Sequence, residues 1–334
     1  MNLALTLDCG DKLGEGTSGS VYALAGPSDG RRYCVKVVCR KPATDVADAL
    51  AECRLHASLP PCDVIVQYYF SWSSPTHAYI LLERMSCELW DAALAPAPSD
   101  CNGLANLAER LQWSRDVATA LQCLHAMGVA HRDVNPWNLF LSEGGSGTPR
   151  RCKLGDLGLA ARLPASGRFV GWHEPGAPPL DESAIGSLYS APELGAERLI
   201  GGYNLACDIF SAGQCLVAIW HKAVVHTSSD EAVTEAIEAV RKHGELSWIV
   251  PSRLASLVRR LTAQKPEHRP SAREALAELT AMHSAQHALA AVAESVPASA
   301  ALQLKGHRPR AHGWLPAWAG GSQGVHLQQR SVRI

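Results

Sequence analysis

No C-x-x-C pair occurs anywhere in the chain, although it carries 11 cysteines. That absence excludes the common zinc-finger and thioredoxin spacings. An odd number of scattered cysteines over 334 residues also argues against a disulfide framework. The implied setting is reducing, cytosol or nucleus. Long apolar runs are missing too. The most apolar stretch, "IFSAGQCLVAIW" at 209–220, falls short of the roughly 20 residues a membrane span needs. It reads as a buried core helix, and no membrane partner is expected. The opening "MNLALTLDCGD" lacks a basic segment and a sufficient apolar run, so no export signal is read there. Charge is sparse, 19% of residues against a usual share of about 25%. No acid follows Glu294, while Lys305, Arg308, Arg310, Arg330 and Arg333 do. Setting those five aside leaves 26 basic and 32 acidic residues, a charge near −6. The net charge of −1 makes no case for a nucleic-acid partner, and the basic tail reads as a solvated segment. No internal repeat is visible.

Apolar material is plentiful. Hydrophobic residues make up 47% of the sequence, which favours a globular chain over disorder. The length suits one large domain or two lobes. The N-terminal part carries strand-like runs, "LALTL", "SVYALA", "RYCVKVV", "VIVQYYFSW" and "HAYILLERM", separated by Gly, Pro and Ser clusters. One helical stretch, "DVADALAECRLHASL", interrupts them and stops before Pro60. This predicts a small antiparallel sheet with one helix packed on it. From about residue 104 the pattern turns helical. "LANLAERLQWSRDVATALQCLHAMG" ends at Gly128, a helix stop. Further helices are expected near 205–222 and 230–243, and "SAREALAELTAMH" opens with Ser271 and Glu274 as a capping box. The fold class is α+β.

"GEGTSGSV" sets glycines at 14, 16 and 19, with Val21 just beyond. Glycine lets backbone N–H groups approach a phosphate with no Cβ in the way. The same spacing opens a Rossmann unit, but a helix would then follow. Here "SVYALA" follows, so a two-strand flap fits better, and a plain glycine-rich turn stays open on this motif alone. Lys36 lies among β-branched neighbours in "YCVKVV". A lysine buried there needs a partner. A phosphate oxygen and a carboxylate would satisfy it, and Glu52 on the N-terminal helix is the available carboxylate.

"HRDVNPWN", "LGDLGLA", "APE", "DIFSAG" and "HRP" then follow in that order. Together with the flap and Lys36 they resemble the eukaryotic protein kinase family, over roughly residues 8–282. The resemblance implies a bilobal fold. Residues 1–87 would form a small lobe and hinge, 88–283 a larger helical lobe, and 284–334 a helix extension and basic tail. It implies ATP and Mg²⁺ as cofactors and a protein substrate as partner. Asp133 would accept or orient the substrate hydroxyl's proton. Asn138 and Asp156 would hold the metal, and Lys36, paired to Glu52, the α- and β-phosphates. Gly14, Glu15, Gly16, Gly19 and Val21 would form the nucleotide flap. Glu83 and Met85 would be the hinge contacts to adenine, after Leu82 as gatekeeper. Glu193 should pair with Arg269, and Asp208 should hold the catalytic-loop backbone. Cys34, over the adenine, reads as a core thiol.

The pattern also departs from the family. Asn135 stands where Ser/Thr kinases carry a lysine that touches the transferred phosphate. Trp137 stands where tyrosine kinases commonly place an arginine. Losing one such contact costs ~3 kcal/mol, about 10²-fold in rate. That implies a slowed enzyme rather than a dead one. Asn135 still donates a hydrogen bond and is counted with the catalytic residues, and Asn135→Lys is expected to raise turnover. Leu157 replaces the usual phenylalanine with little consequence. His56, where the family packs an apolar residue, reads as a satisfied, partly buried histidine. "GSLYSAPE" is one residue short, and Ser187 is expected beside Asp133 in place of a threonine. Arg132 precedes Asp133, as in kinases that order this segment with a phosphate. Ser183 or Ser187, then Ser166, are the expected phosphosites. "VIVQYYFSW" resembles a strand of the initiation-factor-2 kinases and of the Wee family, with Nek kinases a third neighbour. The implied function is a protein serine/threonine kinase; the alternative is a catalytically weak kinase-fold scaffold or binding module.

Overall fold

The computed structural model describes residues 12–16, 19–24, 31–39, 45–74, 76–94, 103–144, 149–170, 187–194, 202–224, 230–244, 246 and 252–295. "LALTL", Ser183 and the basic tail lie outside these residues. The N-terminal half of the molecule is a five-stranded antiparallel sheet in the order β1-β2-β3-β5-β4. Its strands are β1 (Lys12–Gly16), β2 (Gly19–Leu24), β3 (Tyr33–Cys39), β4 (Tyr68–Ser73) and β5 (His77–Glu83). One helix, α1 (Asp45–Ser58), packs against β4 and β5. The segment "KLGEG" is the first strand of the expected two-strand flap, pairing Gly14 with Val21 and Glu15 with Ser20. Gly19 has φ of +135°, and a Cβ there would lie 2.3 Å from the Val37 carbonyl oxygen. No other residue fits where β2 starts against β3.

The run "VIVQYYFSW" divides. Sheet pairing begins at Tyr68. Val64 and Val66 instead bond the other half of the molecule: Leu154 N–H donates to Val64 O and Val66 N–H to Leu154 O, both at 2.9 Å. A β-branched run signals strand by composition; here two different partners claim its two ends.

The second half is helical, with α2 (Leu89–Leu94), α3 (Gly103–Ala126), α4 (Ala206–Val224), α5 (Asp230–His243), α6 (Ser252–Leu261) and α7 (Ala272–Ser295). A three-stranded sheet joins β6 (Cys87–Glu88), β8 (Leu139–Leu141) and β9 (Cys152–Leu154), and β7 (Val129–Ala130) pairs with β10 (Ala161–Arg162). This is the bilobal α+β architecture expected from the motifs. The apolar stretch 209–220 forms the middle of α4 and is buried throughout. Among the described residues no helix is long and apolar enough to cross a membrane. α3 packs heavily against α7 and also against α4. It carries the fully buried Trp113, while Trp220 comes from α4. Trp220 Nε1–H finds Ser114 Oγ at 3.0 Å, so the indole is buried without an orphan donor. α3 stops at Gly128, in the left-handed region with φ of +66°. The capping box forms: Glu274 accepts from Ser271 N–H at 2.8 Å, and Glu274 N–H reaches Ser271 Oγ at 3.3 Å.

Candidate active site

Lys36 sits on β3, a central strand, buried between its partners. Its ammonium donates to Glu52 Oε1 at 3.0 Å and to Asp156 Oδ1 at 2.8 Å. The strand, α1 and the turn after β9 thus meet at one cation. Burial works against the lysine's charge, but Asp156 and Glu52 outweigh it and hold the ammonium above its ordinary range. Burial also opposes the Asp156 charge, yet Lys36 and the Gly158 N–H, 3.1 Å from Oδ1, hold its carboxyl below the usual value. Asp156 has φ of +52°, unusual for a residue with a Cβ. That backbone turn aims the carboxylate back at the lysine.

The loop before β8 carries the second group. Asn138 Nδ2 donates to Asp133 Oδ2 at 2.8 Å and to Asp133 O at 2.9 Å. Asn135 Nδ2 donates to Asp133 Oδ1 at 2.9 Å. Both Asp133 oxygens therefore face amide donors. Burial nonetheless raises its carboxyl to about 6, with the Asp156 charge adding to the rise. The Asn135 carbonyl oxygen does separate work: it accepts Trp137 N–H at 3.0 Å and Asn138 N–H at 3.1 Å. Asn135 is thus a local turn former as well as a donor. A lysine there offers no acceptor, so Asn135→Lys adds a cation at the cost of these two side-chain contacts.

Asp208 anchors this loop from α4, accepting His131 N–H and Arg132 N–H, each at 2.8 Å, and His125 Nε2–H at 2.9 Å. Arg132, with φ of +67°, donates to Leu159 O at 2.6 Å and Tyr203 Oη at 3.0 Å. His131 Nε2–H reaches Gly155 O at 2.9 Å, tying this loop to the Asp156 turn. Arg269 clasps Glu193 with two bonds of 2.6 and 2.8 Å. The Asp208 and Glu193–Arg269 contacts are those the motifs imply. His125 and Tyr203 were not singled out in the sequence; a histidine at a helix end and a tyrosine far along the chain carry no local signal of these roles.

Gly14, Glu15, Gly16, Gly19 and Val21 all lie on the β1–β2 hairpin, where Gly16 faces Gly19. The Glu15 carboxylate turns outward to Lys12 at 2.7 Å. Glu83 ends β5, its carboxylate pairs with Lys153 of β9 at 2.7 Å, and its backbone N–H donates to Gln67 O at 2.9 Å. The buried Cys34 thiol lies 3.5 Å from Glu83 O, and burial pushes it up to about 12. Met85 follows, half-buried. Ser187 is not joined to Asp133 by any hydrogen bond among the described residues. Its hydroxyl instead accepts Tyr189 N–H at 3.2 Å, because the segment closes there as a tight turn. Trp137 packs 5.2 Å from Trp90 and 5.7 Å from Tyr189, centroid to centroid. Its side chain is part of the packing around the larger core, which its place in "HRDVNPWN" does not reveal. His56 Nε2–H donates to Val66 O at 3.0 Å, while Nδ1 has no partner, so the histidine is half satisfied.

Two oxygens remain for a hard cation. Asn138 spends both amide hydrogens on Asp133, and its Oδ1 accepts no hydrogen bond among the described residues. Asp156 gives Oδ1 to Lys36 and keeps Oδ2. Among the described residues no cluster of three or more His, Cys, Asp or Glu could hold a metal alone. Two side-chain oxygens completed by phosphate oxygens and water suit Mg²⁺, and two carboxylates around one lysine, with Asp133 close to Asp156, favour added positive charge. The residues present fit a metal-bound nucleotide.

Comparison with known proteins agrees. The family described as protein kinase domain matches residues 7–279. The chain is 29% identical to the Wee1-like protein kinase of Arabidopsis thaliana, over 79% of this chain and 47% of that protein. It is 27% identical to the interferon-induced, double-stranded RNA-activated protein kinase of Mus musculus, over 80% of this chain and 50% of that protein. It is 27% identical to the serine/threonine-protein kinase Nek3 of Oryza sativa subsp. japonica, over 80% of this chain and 42% of that protein. The chain spans about half the length of the relatives it matches. With the ordered motifs, the two lobes and the Lys36–Glu52–Asp156 cluster on the page, the chain belongs to the protein kinase family.

Proposed function

We propose that the protein transfers the γ-phosphate of ATP to serine or threonine hydroxyls of a protein substrate, with Mg²⁺, and that it acts in the cytosol or nucleus. The observation that carries this reading is the Lys36 cluster, whose carboxylates leave oxygens open beside Asp133 and Asn138. Asn138 and Asp156 would hold Mg²⁺, which would offset the charge that develops on the phosphate. Lys36 holds the nucleotide phosphates, and Glu52 keeps Lys36 in place. Asp133 orients the substrate hydroxyl and takes up its proton as transfer proceeds. Asn135 and Asn138 fix both Asp133 oxygens, so the carboxylate meets the hydroxyl in one orientation.

The arginine of "HRD" and the intact "APE" support the serine/threonine choice. The test is transfer of labelled phosphate from ATP to a peptide array, followed by phosphoamino-acid analysis, with Asp156→Ala as the blank. Phosphoserine or phosphothreonine that vanishes in the blank is expected. Phosphotyrosine alone would reassign the acceptor. The rival reading, a binding module of low turnover, rests on the missing cation at Asn135 and Trp137. It would be favoured by Mg²⁺-dependent ATP binding with no transfer to any peptide. The same array names the preferred substrate.

A further inference from the structure

Cys62 and Cys123 are the only described cysteines in direct hydrogen-bond contact, with Sγ atoms 2.8 Å apart. Of the eight described thiols, Cys34, Cys53, Cys152, Cys207 and Cys215 are buried, whereas Cys62, Cys87 and Cys123 are partly exposed. They come from different parts of the chain, 61 residues apart. Cys62 lies on the loop between α1 and β4, and Cys123 in the last turn of α3. Beside Cys62 is a cavity of about 60 Å³, lined also by His56, Leu59, Pro60, Pro61 and Gln67. It gives a small oxidant room to approach the sulfur.

The loop is a pivot. It follows directly from α1, which carries Glu52. Cys62 O accepts Ile65 N–H at 3.1 Å, and the next residues bond Leu154, just before Asp156. A bond from Cys62 to α3 would therefore fix the end of α1 against the larger lobe.

We propose that Cys62 and Cys123 are a modification site, forming a reversible disulfide with a peroxide as oxidant and thereby restraining α1 and Glu52. Cys62, as thiolate, attacks one peroxide oxygen. The O–O bond breaks, and with one proton taken up the products are a sulfenic acid and water. Cys123 sulfur then attacks the Cys62 sulfur, the S–O bond breaks, and the hydroxyl leaves with the Cys123 proton as a second water. Two thiols and one hydrogen peroxide give one disulfide and two waters, with two electrons passing from sulfur to oxygen. A dithiol reverses the step by exchange. The sulfurs need to close by about 0.8 Å to reach bonding distance. Burial, together with the contact to Cys62, pushes the Cys123 thiol up to about 12. That suits the resolving partner rather than the first target. The inference stands apart from the phosphotransferase reading, because the switch acts on α1 whatever the active site turns over.

The experiment treats the whole chain with hydrogen peroxide, blocks free thiols with N-ethylmaleimide, and maps peptides without reduction. Expected are a peptide pair joined through Cys62 and Cys123, a thermal midpoint higher by roughly 5–10 °C, slower amide exchange over residues 52–58, and loss of all three with dithiothreitol. Cys62→Ser and Cys123→Ser should each abolish the thermal rise, and Cys87→Ser should keep it. Absence of the joined peptides, or oxidation of Cys62 that stops at sulfinic acid, overturns the proposal. So does a thermal rise that persists in Cys62→Ser. If a serine variant fails to fold, the joined peptide in the unsubstituted protein decides.

Discussion

Lys36 and Arg269 are both buried cations held by carboxylates, and their surroundings are opposite. Arg269 forms a two-pronged pair with Glu193, and its remaining N–H groups go to the carbonyls of Ala263, Gln264 and Ala206. Its side chain is 0% exposed, and charge and hydrogen bonds close within the protein. Lys36 faces Glu52 and Asp156, with Asp133 near enough to feel the Asp156 charge. Acid outnumbers base there, and the Asp156 side chain is 24% exposed toward the cleft. A closed cluster holds the fold; an open one, with carboxylate in excess, leaves valence for a ligand. Burial alone does not separate the two, since Lys36 is buried as well.

Five substitutions and a pH profile test this contrast. Asp156→Ala should lower turnover by roughly 10³-fold or more and leave the thermal midpoint within a few degrees; a large loss of stability with activity kept would erase the distinction. Arg269→Leu should do the reverse. Stranding Glu193 should cost roughly 3–5 kcal/mol in urea unfolding, while the folded fraction keeps its rate per molecule. Asn135→Lys and Asn135→Ala should each lower kcat about 10-fold, since both delete the side-chain acceptor of Trp137 N–H, while Asn138 N–H keeps only the Asn135 backbone carbonyl. A faster Asn135→Lys enzyme would mean that the missing cation outweighs loop order. Asp133 must be charged to take a proton, and its carboxyl is raised to about 6. kcat/KM should therefore be flat above that pH and fall below it; a profile still flat at pH 5 would remove Asp133 from that role. The smallest effect is at His56. Burial lowers it from 6.5 to about 4, so the unfolded chain binds the extra proton first. Stability is complete above about pH 6.5 and declines toward 4. His56→Leu should be near neutral at pH 7.5 and flatten that decline in acid unfolding.

Much of this site is legible in the sequence. The order of the glycine flap, Lys36, Glu52, Asp133, Asn138 and Asp156 places each on its element, because each motif carries its own local geometry. Helices α3, α4, α5 and α7 follow from periodicity and their stop signals. Two things were hidden. Val64–Val66 serves β9 rather than the five-stranded sheet. The helix α6 carries only a short signal of 10 residues, although Leu254, Leu257, Val258 and Leu261 form a clean buried face with the arginines opposite.

The sequence by itself determined the family, the two-lobed α+β class and which residues are the candidates for holding phosphate, metal and proton. Those depend on residue type at fixed local spacing. Only the tertiary structure decided what Asn135 does, where Trp137 packs, and that Cys62 meets Cys123. Each depends on where a side chain's atoms fall against groups distant in the chain, and on which donors and acceptors burial leaves unmatched. In "HRDVNPWN" the letters suggest a lost cation, whereas the fold reveals a gained acceptor, the Asn135 oxygen that holds the loop's shape.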